Sequence, residues 1–208
     1  MSFADYEAFW TGRYRDAGDD YLFGTAPNRF LEAQASRFTA GMSVLSVADG
    51  EGRNSVWLAR QGCQVTATEL SRVALDKAAR LARGAHVAVD FVQADIFHWT
   101  WPEAAFDAVV GIFIQFAGAA ERPRLFGGMM QAVKPGGLLL LQGYTPKQLE
   151  YRTGGPSAVE NLYTAGQLRE TFAGWTIEHL REHESEIAEG AAHVGRSALV
   201  DLVARKPL

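Results

Sequence analysis

Two glycines one residue apart, Gly50 and Gly52, sit between an apolar run and a helical pattern in the stretch VLSVADGEGRNSVWLA (44–59). With no Cβ, glycine lets the backbone come close to a ligand and tolerates left-handed angles. Arg53 and Asn54 open the helix that follows, where free N–H groups and the helix dipole attract an anion. Either side chain can instead cap the helix or face solvent. Two acids close later apolar runs, Glu69 in VTATELS and Asp95 in VQADIF. Acids are common at strand ends, but two at successive strand tips after a glycine turn form a stronger signal than either alone. His183, His193, Tyr151 and Glu189 are the groups that could take a proton from a hydroxyl or amine. Each also reads as an ordinary surface or packing residue, and no catalytic residue is assigned. The stretch EGAAHVG (189–195) combines a Glu, a His and flexible glycines. No metal-ligand set is expected.

These residues need elements to hold them. SVLSVA (43–48) reads as a strand, and 55–60 as a helix ended by Gly62. CQVTAT (63–68) is a second strand. Ser71 is placed to cap a helix with apolar positions at Ala74, Leu75, Ala78, Leu81 and Ala82. VAVDFVQA (87–94) and FDAVVGIFI (106–114) are the third and fourth strands. A helix carrying Leu125, Met129, Met130 and Val133 stops at Pro135-Gly136-Gly137, since proline cannot continue the ladder. LLLLQ (138–142) suits a central strand covered on both faces. The alternation predicts an α/β fold, a Rossmann-like, doubly wound, mostly parallel sheet. WTIEHLREHESEI and RSALVDLVARK, joined through AEGAAHVG, would end it as an antiparallel hairpin. Thr164 with Gln167 forms a capping-box signal. Two segments break the rhythm. Residues 1–40 form an aromatic-rich extension to a domain over 41–208, and residues 143–163 form a Gly/Pro/Tyr-rich stretch of lid-like character.

Composition narrows the function. A chain of 208 residues with 48% hydrophobic and 21% charged residues is ordinary for one globular domain. A net charge of -4 and scattered basic residues argue against a nucleic-acid partner. Cys63 is the only cysteine, so an internal disulfide is impossible and a reducing, cytoplasmic setting is expected. MSFADYEAFW does not read as a signal peptide, and the apolar run 108–114 is too short to cross a bilayer, so no membrane association is expected. The oligomeric state is not legible.

The glycine turn admits two cofactor readings. Gly50-x-Gly52-x-x-Ser55 nearly fits a dinucleotide fingerprint, with Glu69 seventeen positions beyond Gly52. In the frame Ser46-x-Ala48-x-Gly50-x-Gly52 the stretch resembles the nucleotide-binding motif of class I S-adenosylmethionine (SAM) methyltransferases. Ser46 stands where that family has an acid, and Ala48 where it has the first glycine. The neighbouring Asp49 is a candidate to compensate. The resemblance implies that Glu69 accepts hydrogen bonds from the ribose hydroxyls and that Asp95, following Ala94, reads the adenine amino group. FDAVVGIF and VKPGGLLLLQ match the family's fourth-strand and pre-fifth-strand signatures in order, and the chain lacks the Tyr-x-x-x-Lys pair of many dehydrogenases. Leu70, Ile96 and Ile112 either sandwich the adenine or are plain core. GEGRNSVWLA looks most like the branch containing tellurite-resistance and thiopurine methyltransferases. In the thiopurine group two N-terminal aromatics four apart cover the cofactor, and Trp10 and Tyr14 have that spacing; packing of an amphipathic helix accounts for them equally. The expectation is methyl transfer from SAM to a small acceptor, soft thiol- or chalcogen-type acceptors included. The alternatives are a catalytically silent SAM- or nucleoside-binding regulatory module and an NAD(P)-dependent oxidoreductase.

Overall fold

The computed structural model describes residues 3–191 and 193–208. Met1 and Ser2 of the predicted extension, and Ala192 of the predicted AEGAAHVG joint, lie outside the described residues. In chain order the elements are α1 (Phe3–Asp16), α2 (Arg29–Ala33), β1 (Ser43–Val47), α3 (Arg53–Arg60), β2 (Gln64–Glu69), α4 (Arg72–Gly84), β3 (Asp90–Gln93), β4 (Phe106–Ile112), α5 (Arg122–Ala132), β5 (Val133–Tyr144), α6 (Gln148–Tyr151), α7 (Ala165–Thr171), β6 (Thr176–Glu189) and β7 (His193–Arg205).

The strands form one seven-stranded sheet in the order β3-β2-β1-β4-β5-β7-β6. β1 pairs with β2, β2 with β3, and β4 with β5, all parallel, whereas β7 runs antiparallel to β5 with Leu140 opposite Val203. The expected α/β sheet with its C-terminal hairpin is therefore present. Among the described residues, no helix is long and apolar enough to cross a membrane.

The chain divides into two compact units, Met1–Trp99 with Glu189–Ala192, and Thr100–Ala188 with His193–Leu208. In the first, Val44, Leu45 and Val47 of β1, Val65 and Ala67 of β2, and Leu58 of α3 are buried. Ser71 caps α4 as expected, accepting from the Ala74 N–H at 3.4 Å. Ala74, Leu75, Ala78 and Ala82 form the buried face of α4, and Leu81 is half-buried. In the second unit, Val109, Val110, Leu139 to Leu141, Val200, Leu202 and Val203 of the strands are buried, as are Phe126 and Met129 of α5.

Several boundaries differ from the sequence reading. α3 begins two residues earlier, at Arg53, because Gly52 at φ 91° serves as its N-cap. β3 is only Asp90–Gln93, and β4 ends at Ile112, after which Phe113 adopts φ 56° and leaves the strand. β5 begins at Val133, before Pro135-Gly136-Gly137, because the ladder jumps from Phe106↔Val133 to Ala108↔Leu138 and the glycine turn bulges out of it. The 143–163 stretch is not structureless. It holds the end of β5, α6 and a 3₁₀ turn at Val159–Asn161, and leads to a capping box in which Thr164 accepts from the Gln167 N–H while Gln167 Oε1 accepts from the Thr164 N–H.

Candidate cofactor site at the glycine turn

β1 delivers the chain into a turn dominated by left-handed backbone: Ala48 at φ 48°, Gly50 at φ 63° and Gly52 at φ 91°. The turn is hooked to the end of β2, where the Asp49 N–H donates to the Thr68 carbonyl at 2.9 Å. The two glycines serve different contacts. A Cβ on Gly50 would lie 3.0 Å from the Tyr14 hydroxyl oxygen, so the first glycine makes room beside an aromatic of α1. A Cβ on Gly52 would lie 2.8 Å from Ala78 Cβ, so the second lets α3 start hard against α4.

Two carboxylates fasten the turn. Asp49 accepts from the Ser46 hydroxyl at 2.6 Å, from the Ser55 N–H at 3.2 Å, and from the Ser55 hydroxyl. It therefore supplies the cap that Gly52 cannot give α3. Burial raises its pKa to about 6, against the lowering effect of these hydrogen bonds. Glu69, the last residue of β2 and 5% exposed, accepts from the Gly50 N–H at 2.9 Å with Oε2 and from the Ser71 N–H at 2.9 Å with Oε1. Burial raises its pKa to about 7, although backbone hydrogen bonds from Ser71, Gly50 and Leu70 favour the charged form. Each carboxylate oxygen has two lone pairs, so these bonds leave Glu69 with capacity to accept from a further hydroxyl.

α1 lies along this end of the unit. Tyr14 is buried beside Gly50, with its hydroxyl held neutral by burial and then by the nearby Glu69. Trp10, half-buried, stacks on Tyr14 at a centroid distance of 6.0 Å. The Arg13 guanidinium lies 5.1 Å from the Trp10 ring. Thr11 Oγ1 donates to Ser71 Oγ at 2.9 Å, and Tyr6 packs on Phe97 at 6.4 Å. Tyr14 thus sits at the glycine turn, and Trp10 packs on it.

Beyond β3, Ala94 and Ile96 are buried and Leu70 is half-buried. Asp95 lies between Ala94 and Ile96, and its Oδ1 accepts from the Phe97 N–H at 3.0 Å. Its Oδ2 is engaged by the exposed His98 ring, so any amino group read by Asp95 must share this carboxylate with an imidazole. Ile112, the last residue of β4, is buried in the second unit.

At the head of α3, Arg53 is 7% exposed and its Nη2 pairs with Glu189 Oε2 at 2.7 Å. Glu189 Oε1 in turn accepts from Asn28 Nδ2 at 3.0 Å. Asn54 Oδ1 accepts from the Asn28 backbone N–H at 3.0 Å, so that side chain braces α2 rather than capping its own helix. Among the described residues, Arg53 Nη1 and Glu189 Oε2 are both buried without a hydrogen-bond partner, although Nη2 and Oε2 form the ion pair. A buried donor without an acceptor is rare, and Nη1 is open to an anionic ligand atom. The unpartnered guanidinium nitrogen, the narrow gap at Gly50 and the spare lone pairs of Glu69 fit a nucleoside that carries an amino-acid carboxylate.

Several partners escaped the sequence reading. Glu51, inside the glycine turn, forms a buried ion pair with Lys77 at 2.8 Å, and Lys77 Nζ also donates to the Asp20 carbonyl at 2.8 Å. A lysine among the apolar positions of α4 was the available signal. Ser46, Ser55 and His98 were likewise not assigned to the carboxylates they engage.

The general-base candidates are mostly engaged. Glu189 holds Arg53, His183 Nε2 meets Asp201 Oδ2 at 2.8 Å, and the Tyr151 hydroxyl donates to Glu184. His193 packs edge-on against Phe113 at 4.6 Å and Tyr144 at 5.7 Å.

Residues 44–137 match the family model described as a methyltransferase domain. The chain is 28% identical over 122 residues to the carboxy-S-adenosyl-L-methionine synthase of Yersinia pestis (strain Pestoides F), a match covering 58% of this chain and 44% of that protein. The chain thus spans under half the length of the curated relatives it matches. Its fold is similar to that of a protein solved in connection with the conversion of a disulfide bond into a thioacetal group during echinomycin biosynthesis: TM-score 0.78, 19% identity, 99% of this chain and 92% of that one. It is also similar to the [4+2]-cyclase SpnF: TM-score 0.72, 21% identity, 99% of this chain and 94% of that one.

Proposed function

We propose that the chain is a SAM-dependent methyltransferase of a small acceptor, with soft sulfur or heavier chalcogen nucleophiles as the favoured class. The observation that carries this reading is the Glu69 carboxylate, fixed by the Gly50 and Ser71 N–H groups at the tip of β2 with acceptor capacity to spare. That is the arrangement needed to hold a ribose diol against a glycine turn, and it lies inside the segment matching a methyltransferase domain.

The residues divide the work. Glu69 grips the ribose hydroxyls, and Asp95 takes the adenine amino group in competition with His98. Leu70 and Ile96 supply apolar surface for the base, with Ala94 leaving room beside it. Gly50 and Gly52, with Ala48 and Asp49, shape the turn along which the amino-acid tail runs, while Arg53 Nη1 and the head of α3 receive its carboxylate. Asn54 keeps α2 in register with this helix. Trp10 and Tyr14 cover the site and keep water out. The bound cofactor supplies an electrophilic sulfonium methyl. Alignment and exclusion of water are then the protein's main contributions.

Engagement of Glu189, His183 and Tyr151 by Arg53, Asp201 and Glu184 favours an acceptor that need not lose a proton. A thiol or chalcogen anion meets that condition, and sulfur chemistry is named for one protein of similar fold. The sequence GEGRNSVWLA and the Trp10–Tyr14 pair favour the tellurite-resistance and thiopurine branch. A cytoplasmic setting accords with the single cysteine.

The test is incubation of the chain with SAM and a panel comprising a small thiol, a chalcogen oxyanion and a phenol, with S-adenosylhomocysteine (SAH) measured by chromatography. SAH released with the thiol or oxyanion is expected. SAM binding without turnover on any acceptor would leave a nucleoside-binding module instead. NAD(H) binding without SAM binding would return the chain to the oxidoreductase reading.

A further inference from the structure

Resting on the reading of Arg53 as the cofactor-carboxylate group, we propose that Glu189, at the tip of the terminal hairpin, is a positioning residue that acts through Arg53. The tip makes a specific junction within the first unit. Glu189 Oε2 meets Arg53 Nη2 at 2.7 Å, and its Oε1 accepts from Asn28 Nδ2 at 3.0 Å and from the Arg29 N–H at 3.4 Å. The carboxylate therefore ties the start of α2 to the start of α3. Both charged side chains are more than nine-tenths buried, so their pairing is little screened by solvent.

The next residue fixes the depth of insertion. Gly190 has φ 65°, and a Cβ there would lie 2.4 Å from both Gly24 N and the Phe23 carbonyl carbon. The Ala191 N–H donates to the Leu22 carbonyl at 3.1 Å. The tip is thus pressed against residues 22–24, and Glu189 cannot swing away without lifting the turn.

The consequence follows from guanidinium geometry. Arg53 is planar, so the ion pair of Nη2 with Glu189 limits the directions in which Nη1 can point. Among the described residues Nη1 has no hydrogen-bond partner, and the Arg53 charge acts on Asp49 in the glycine turn. Glu189 accordingly presents one face of a preoriented guanidinium to an anion at the turn while neutralising the other. A residue near the C-terminus thereby completes a pocket built by residues 48–54, selective for the amino-acid end of the ligand rather than its adenosine.

Calorimetric titration of the full chain and its variants with SAH and with 5′-methylthioadenosine tests this, because only SAH carries the amino-acid carboxylate. Glu189→Gln is expected to raise the SAH dissociation constant roughly tenfold or more while methylthioadenosine changes by less than about twofold. Glu189→Asp, which keeps the charge but shortens the reach, is expected to give a smaller loss with the same ligand selectivity. It serves where the glutamine variant fails to fold. Arg53→Gln/Glu189→Gln should bind SAH no more weakly than Arg53→Gln alone. Equal weakening of both ligands, or SAH binding unchanged in the Glu189 or Arg53 variants, overturns the inference while leaving the proposed function standing. Failure of the unaltered chain to bind SAH overturns both.

Discussion

The Ser46 hydroxyl donates to the Asp49 carboxylate at 2.6 Å, and Ser55 approaches the same carboxylate from the first turn of α3. Where the resembled family has an acid at the end of the first strand, this chain has a serine that feeds an acid three residues later. The charge has moved into the turn, where it caps a helix whose N-cap glycine has no side chain to offer. Restoring the acid alone should therefore harm the site, since Ser46→Asp sets two carboxylates together. SAH affinity measured calorimetrically is expected to fall in Ser46→Asp and to recover at least in part in Ser46→Asp/Asp49→Ser. Stronger binding by the single variant would contradict this account of the turn.

The buried carboxylates predict a pH dependence. Glu69 titrates at about 7 and Asp49 at about 6 in the folded chain, both above ordinary carboxyl values because burial penalises the charge. The folded state thus holds protons that the unfolded state has released, so stability is greatest below the unfolded values and declines as pH rises through the folded ones. Between about pH 5 and about pH 8 urea denaturation should show a loss on the order of 1–3 kcal/mol. Glu69→Gln should flatten most of that slope. A stability that climbs over this range would refute the assignment.

Gly52 predicts a packing effect separable from ligand binding. A methyl there would lie 2.8 Å from Ala78 Cβ, on a backbone held at φ 91°. Gly52→Ala should cost about 1–3 kcal/mol through overpacking and left-handed strain. Adding Ala78→Gly should give little relief, because the Ala78 Cα lies 2.9 Å from the same position and the backbone angle is unchanged. Denaturant midpoints of the two variants check this, and a Gly52→Ala chain as stable as the unaltered one would contradict the close approach of α3 to α4.

In the second unit Glu184 gathers Lys147, Tyr151 and Arg196, with Arg196 Nη2 at 2.6 Å, and its pKa is lowered to about 2, chiefly by the Lys147 hydrogen bond. The cluster is solvent-facing, so its effect is local rather than global. Glu184→Ala should speed hydrogen exchange across residues 147–153 with little change in Tm. Unaltered exchange there would show that Gln148, which accepts from the Ala198 N–H at 2.9 Å, holds the segment unaided.

Legibility followed the range of the interaction. Ser71 and Thr164 announced their helices because capping is decided within three residues, and the strand apolarity announced a covered sheet. The place of Glu69 at the end of a strand was legible, whereas its bond to the Gly50 N–H appears only in the fold. The ties that orient Arg53 were not legible, since Asn28 and Glu189 lie 161 residues apart along the chain and meet only in the fold. Gly52 was read as space for a ligand; its contact with Ala78 is a further, packing reason for glycine that only the fold shows. The bulge in β5 was hidden for a similar reason: Pro135-Gly136-Gly137 reads locally as a full stop, and only pairing with β4 shows the ladder resuming at Leu138.

The central claim is that the Glu69 carboxylate holds the ribose of an adenosyl ligand at the glycine turn. Isothermal titration of the unaltered chain and of folded Glu69→Ala with SAH tests it most directly. Saturable binding by the former, weakened by about 1–3 kcal/mol in the latter, is the predicted result. Equal affinity in the two proteins would contradict it.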